Sequence, residues 1–149
     1  MPRVLIDTNV LLRMIEPGHP SQKLAVDAQI ALRVAGHQPC IVDQNLIEFR
    51  AVVTRPFASN GLGMTQQQAN FELQGLKSLY ELLSDTPAVF VQWEQLVNKY
   101  ISEGKQNHDA RIVAAMIVHE VPSVLTFNEG DFKRYTEIEV FSPKDVLNS

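Results

Sequence analysis

Short apolar runs alternate along this chain with longer stretches whose apolar residues recur at helical spacing. The runs at 3–6, 40–42, 88–91, 123–127 and 138–141 have strand length and are rich in β-formers. Between them the period lengthens. Ser21 is placed to cap a helix that carries Leu24, Ala28, Ala31, Leu32 and Ala35 on one face and stops at Gly36. The segment "DQNLIEFRAVVTR" predicts a helix with Asp43 as its candidate cap. Thr65 and Gln68 form a capping-box pattern ahead of Phe71, Leu76, Leu79, Leu82 and Leu83. A shorter helix is expected from Trp93 to Ile101. Another is expected from Asn107, with Ile112, Val113, Met116 and Ile117 as its buried stripe. Phe90 and Trp93, in or beside an expected strand, are read as core.

Strands alternating with helices predict a sheet covered on both faces. The expected fold is a three-layer α/β/α sandwich around a five-stranded, mainly parallel sheet, with residues 1–149 as one domain. The clearest breaks are "EPGHP" at 16–20 and "RPFASNGLGM" at 55–64. With 45% hydrophobic and 20% charged residues the composition is that of a globular protein. No apolar run reaches the roughly 20 residues of a membrane span, and no signal peptide is read, so a cytoplasmic protein is expected. The single Cys40 leaves no internal disulfide and no cysteine-based zinc site. A net charge of −4 excludes a generally basic nucleic-acid binder, so any nucleic acid must be held by a local basic patch or through a metal ion.

The acids change this picture. Asp7 stands where the first strand stops. Glu48 lies inside the apolar helix after the second strand. Asp109 opens the helix before the fourth strand, and "NEGDF" places Asn128, Glu129 and Asp131 just past that strand's end. Each has an ordinary explanation as a cap, a first-turn charge or a solvated side chain. Together they fall along one edge of a right-handed parallel wind, where function gathers in such sheets. Two carboxylates about 4 Å apart repel by ~4 kcal/mol at an effective dielectric of 20. Several acids gathered there call for a divalent cation, and carboxylate oxygens are the ligands Mg²⁺ and Mn²⁺ prefer. That apparatus suits phosphodiester chemistry, with a metal-activated water as nucleophile.

"LIDTNVLL", "IEFRAV", "NHDARIVAAMI" and "VLTFNEGDF" resemble, in order and spacing, the successive motifs of PIN-domain nucleases, over nearly the whole chain. The length and single-domain layout resemble the VapC-type toxins of toxin–antitoxin pairs. That resemblance implies a Mg²⁺- or Mn²⁺-dependent endoribonuclease, usually a homodimer, inhibited by a cognate antitoxin protein. It implies Asp7, Glu48 and Asp109 as metal-site acids, Thr8 or Asn9 as residues orienting Asp7, and Thr126 as a residue lining the site. The family often has its fourth acid where this chain has Asn128. Asp131 is the candidate to supply the missing carboxylate, with Asn128 an alternative oxygen ligand.

Arg50, Arg55 and Arg111 lie near the acids in sequence and are weak candidates for gripping RNA phosphates. His108 adjoins Asp109 and is read as a solvent-facing or capping residue. A housekeeping RNA-processing nuclease is one rival. A catalytically weak RNA- or protein-binding module, motivated by Asn128, is another. A phospho-acceptor receiver domain is discounted, because "RVLIDTNV" holds one acid rather than a pair and "AVFVQWE" holds no Asp.

Overall fold

A computed structural model describes residues 2–149. The strands are β1 (Arg3–Ile6), β2 (Gln38–Val42), β3 (Glu81–Leu83), β4 (Ser123–Leu125) and β5 (Glu139–Phe141). They form one sheet in the order β3-β2-β1-β4-β5, every pair parallel. The chain winds outward from β1 through β2 to β3, then crosses back to β4 and β5 on the other side of β1. That reversal opens a crevice beside β1 at the carboxyl ends of the strands, the usual ligand position in such sheets.

Strand alternation builds two cores. Val4, Ile6, Ile41 and Leu125 face one layer, formed by α1 (Thr8–Met14), α2 (Gln22–Val34), α3 (Asp43–Thr54) and α4 (Gln66–Leu79). Leu5, Cys40, Val42 and Val124 face the other, formed by α5 (Pro87–Tyr100) and α6 (Gln106–Val118). Because both faces are covered, the strands read as continuous apolar runs. The short α7 (Pro143–Leu147) ends the described chain and packs on α2. The expected three-layer fold is therefore present, with a sheet that is wholly parallel.

The third strand differs from expectation. Residues 88–91 lie inside α5, and the strand is Glu81–Leu83. Pro87 takes the first helical turn, where its missing N–H costs nothing. Val89, Trp93, Leu96 and Val97 then make a helical stripe against the core, which leaves Phe90 on the outside, 61% exposed. Leu82 and Leu83, expected on the preceding helix, are strand residues, because α4 ends at Leu79. Ala69 and Leu76 are the buried positions of α4; Phe71 stands 77% exposed rather than in the core.

The caps also sort out. Thr65 and Gln68 exchange their capping-box bonds as expected. Ser21 precedes α2 without a side-chain cap bond, and α6 begins one residue before Asn107. Asp43 does not cap α3. It is the first helical residue, and its carboxylate accepts from the backbone N–H of Asp85, while Asn45 Oδ1 accepts from the N–H of Val42. After α3 the chain doubles back so tightly that a Cβ on Gly61 would lie 2.0 Å from the carbonyl oxygen of Arg55. Glycine is required there, and the turn fixes where Arg55 leaves the helix. No helix of the described residues is long and apolar enough to cross a membrane.

Candidate active site

Asp7 sits at the exit of β1 and caps α1. Its Oδ1 accepts from the N–H of Thr8 at 2.9 Å, and its Oδ2 accepts from the Thr126 hydroxyl at 2.8 Å and the Asn9 amide at 3.1 Å. Thr126 is fully buried beneath it, at the exit of the adjacent β4, and also accepts from the Asn9 amide and from the N–H of Asn128. The two central strand ends are thus tied together around one carboxylate. Its side chain is largely withdrawn from water, with only 7% of the residue exposed. Burial pushes the Asp7 carboxyl up to about 6; the bonds from Thr126 and Thr8 oppose that, and the nearby charges of Glu48 and Asp109 add to it.

Glu48, on the second turn of α3, points into the same place. The Thr8 hydroxyl donates to its Oε1 at 2.8 Å, and Gln44 Nε2, one turn earlier, donates to its Oε2 at 3.0 Å. Asn45 completes the path by donating to the Thr8 hydroxyl at 3.2 Å. Asp109 comes in from the first turn of α6. Its pKa is raised, first by burial and then by Asp131 and Glu48, against the lowering effect of Lys105. Lys105 Nζ bridges Asp109 and Asp131, 3.0 Å from each. Burial works against the Lys105 charge, but its bonds to Asp131 and Asp109 prevail and raise its pKa.

Asp7, Glu48, Asp109, Asn128 and Asp131 therefore line one open cleft of about 350 Å³. Thr8, Asn9, Arg55, Lys105 and His108 share its walls. Arg50 lies elsewhere, bonded to Asn70, and Arg111 borders a neighbouring cavity, held by Gln44 and Asp85. Three groups that hold the site were not singled out in the sequence: Gln44, Asn45 and Lys105. The available signal was helical spacing, since Gln44 precedes Glu48 by four residues and Lys105 precedes Asp109 by four.

The donors are all oxygen, as a hard divalent cation requires. A lysine ammonium drawn between Asp109 and Asp131, and neighbouring acids that add to the effect of burial on the Asp7 and Asp109 carboxyls, mark a place where positive charge is favoured. Among the described residues, no three His, Cys, Asp or Glu side chains stand close enough together, as they are arranged here, to close on one ion.

Residues 4–138 match the sequence profile of the PIN domain. The chain belongs to the PIN domain family. Several solved structures share this PIN fold. VapBC2 of Rickettsia felis, bound to a DNA fragment from its promoter, is 16% identical, with a TM-score of 0.68 over 94% of this chain and 98% of that one. DNA-bound VapBC of Salmonella typhimurium is 18% identical, with a TM-score of 0.68 over 96% of this chain and 99% of that one. VapC20 of Mycobacterium tuberculosis, a sarcin–ricin loop cleaving toxin, is 18% identical, with a TM-score of 0.66 over 92% of this chain and 98% of that one. No curated protein sequence matches. At these identities the likeness establishes the fold, and the chemistry of this PIN domain rests on its own residues.

Proposed function

We infer that this PIN domain is a Mg²⁺- or Mn²⁺-dependent endoribonuclease, the toxin half of a type II toxin–antitoxin pair. The observation that carries the reading is the arrival of four carboxylates and one amide, from four separate elements, in one cleft at the carboxyl edge of the sheet. The similar structures support the biological setting, since VapC20 is a sarcin–ricin loop cleaving toxin and a toxin–antitoxin complex from Klebsiella pneumoniae shares the fold at 20% identity with a TM-score of 0.62.

Asp7, Glu48 and Asp109 would hold the cation, with Asp131 as the fourth acid and Asn128 as a weaker oxygen donor. When bound, the cation supplies a lowered water pKa and neutralises charge that develops on the phosphate. The chain's own groups do the rest. Thr8, Asn9 and Thr126 fix the Asp7 carboxylate so that it loses no orientation on loading. Gln44 and the Thr8 hydroxyl do the same for Glu48. Arg55 and His108, on the cleft wall, are placed to meet the RNA backbone. Lys105 is held by Asp109 and Asp131 while the acids carry uncompensated charge, and is free to turn toward phosphate once they do not. Partners on this reading are RNA, a cognate antitoxin and a second copy of the chain.

Incubation of the full chain with a mixed RNA pool tests the reading. Internal cleavage is expected with Mg²⁺ or Mn²⁺ and not with EDTA, and Asp7→Asn is expected to abolish it. Cleavage that survives EDTA, or an active Asp7→Asn protein, overturns the metal mechanism. Light scattering at micromolar concentration tests the homodimer, and a monomer rejects it. Expression of the chain in bacteria tests the toxin role: growth arrest that Asp7→Asn abolishes is expected, and undisturbed growth rejects it.

A further inference from the structure

A second cavity, of about 380 Å³, opens beside the acidic cleft and shares His108 with it. Its floor and walls are apolar and aromatic: Val89 is buried, Trp93 is half-buried, and Phe90 stands largely exposed at the rim. The Phe90 and Trp93 rings lie 5.5 Å apart, tilted by 34°. Trp93 is anchored from behind, its indole N–H donating to the carbonyl of Asn107 at 2.8 Å. An exposed Phe at such a rim is not explained by the core, whose stripe on α5 passes through Val89, Trp93 and Leu96.

The polar lining points to a specific kind of occupant. Asp85 and Arg111 pair with each other, so the cavity's two charges cancel and it does not favour a phosphate. Thr86 and Asn107 also line the cavity, and their side chains are of the types that offer both donor and acceptor to a flat ligand's edge. Arg111 also donates to Gln44, and Gln44 donates to Glu48. The cavity is thereby joined to the acids by an unbroken chain of hydrogen bonds. A flat, neutral, aromatic-faced group with polar edges, covalently close to a phosphate, is a nucleobase.

We propose that the Phe90–Trp93 cavity is a nucleobase subsite: it takes an unstacked base flanking the phosphodiester held in the acidic cleft, and so sets which RNA sequences are cut. This rests on the nuclease reading for its biological meaning but not for its test. The base stacks against Phe90 and Trp93, Asn107 and Thr86 meet its edge, and His108 lies where the strand passes from one cavity to the other.

Trp93 is the only tryptophan of the chain, so its fluorescence reports on this cavity alone. The full chain is titrated, in Ca²⁺, with a hexaribonucleotide and with an abasic ribose–phosphate oligomer of the same length. The hexaribonucleotide is expected to quench Trp93 and the abasic oligomer to leave it unchanged. Phe90→Ala is expected to weaken binding roughly 5- to 150-fold, the range that base–aromatic stacking carries, and Phe90→Tyr to restore it. In cleavage of a mixed pool, Phe90→Ala is expected to raise KM and to flatten the preference at one position next to the cut. RNA cleavage with Trp93 emission unmoved and Phe90→Ala matching wild type overturns the subsite and leaves the nuclease standing. Base-dependent quenching in a protein that cuts no RNA with either Mg²⁺ or Mn²⁺ does the reverse. A response of Trp93 to a partner protein and not to RNA assigns the cavity to a protein interface and overturns the proposal.

Discussion

Asp7 is a carboxylate that the fold holds at a cost. Asn caps a helix as well as Asp does, so the bond from the Thr8 N–H does not demand a charge. The charge is instead penalised, with the carboxyl raised from 3.8 to about 6 by burial. The folded state thus binds this proton more tightly than the unfolded chain. The penalty is absent below about pH 4, grows as pH rises, and reaches about 3 kcal/mol above pH 6 in metal-free protein. Asp7→Asn is therefore expected to melt no lower than wild type at pH 7.5 in EDTA, with any advantage vanishing at pH 4. A clearly lower melt at pH 7.5 would show Asp7 to be a structural cap. The choice between Asp131 and Asn128 for the fourth position is also testable at this scale. Asp131 carries a charge into the cleft, whereas the contact Asn128 makes with Thr126 is through its backbone N–H, which alanine keeps. Asp131→Ala is expected to lower activity roughly 10- to 100-fold, as loss of an outer partner of a metal site does. Asn128→Ala is expected to do less. Cleavage rates for the two variants test this, and the opposite ranking would make Asn128 the ligand.

The elements read unevenly from sequence, for physical reasons. β1, β2 and β4 were legible because central parallel strands are buried on both faces and show as apolar runs. β3 was not. It is a three-residue edge strand whose leucines continue the spacing of α4, and the apolar run at 88–91 imitates a strand better than β3 does. Pro87, a first-turn signal, was the feature that separates the two. The same confusion put Phe90 in the core when the helix turns it outward. The capping box of α4 was read correctly, because it depends on two residues and no tertiary context. Thr65→Ala removes the bond to the Gln68 N–H and is expected to cost about 1 kcal/mol, lowering the melting temperature by roughly 2–4 °C. Thermal melts measure this. Since α4 supplies no residue to the acidic cleft, metal-dependent cleavage should be unchanged, and a loss of cleavage in a protein that still melts cooperatively would tie α4 to the site.

At the scale of the molecule, the placement of the acids was legible because topology does the work. A parallel wind sends every strand's exit to one edge, and the crossing from β3 back to β4 brings the exits of β1 and β4 side by side. Through that crossing Asp7 and Asp131, 124 positions apart in the chain, come to line one cleft. The supporting groups were not legible, because Gln44, Asn45 and Lys105 acquire meaning only from what lies across the cleft. On the proposed function, the same geometry would make stability and activity answer to one ion. The fold holds several acids whose charges oppose one another, and a cation that binds only the folded state stabilises it by mass action. At a concentration 100-fold above its dissociation constant this is ~2.7 kcal/mol. For a chain of this size that is a rise in melting temperature of roughly 5–10 °C. Mg²⁺ and Mn²⁺ are each expected to give such a rise over EDTA in wild type. Asp109→Ala removes one of the acids and with it most of the rise, while melting near wild type in EDTA because a source of repulsion has gone. Ionic strength is matched with a monovalent salt, so that general screening is subtracted. An equal rise in wild type and Asp109→Ala, or no rise with either ion, would mean that the acids converge without holding a cation between them.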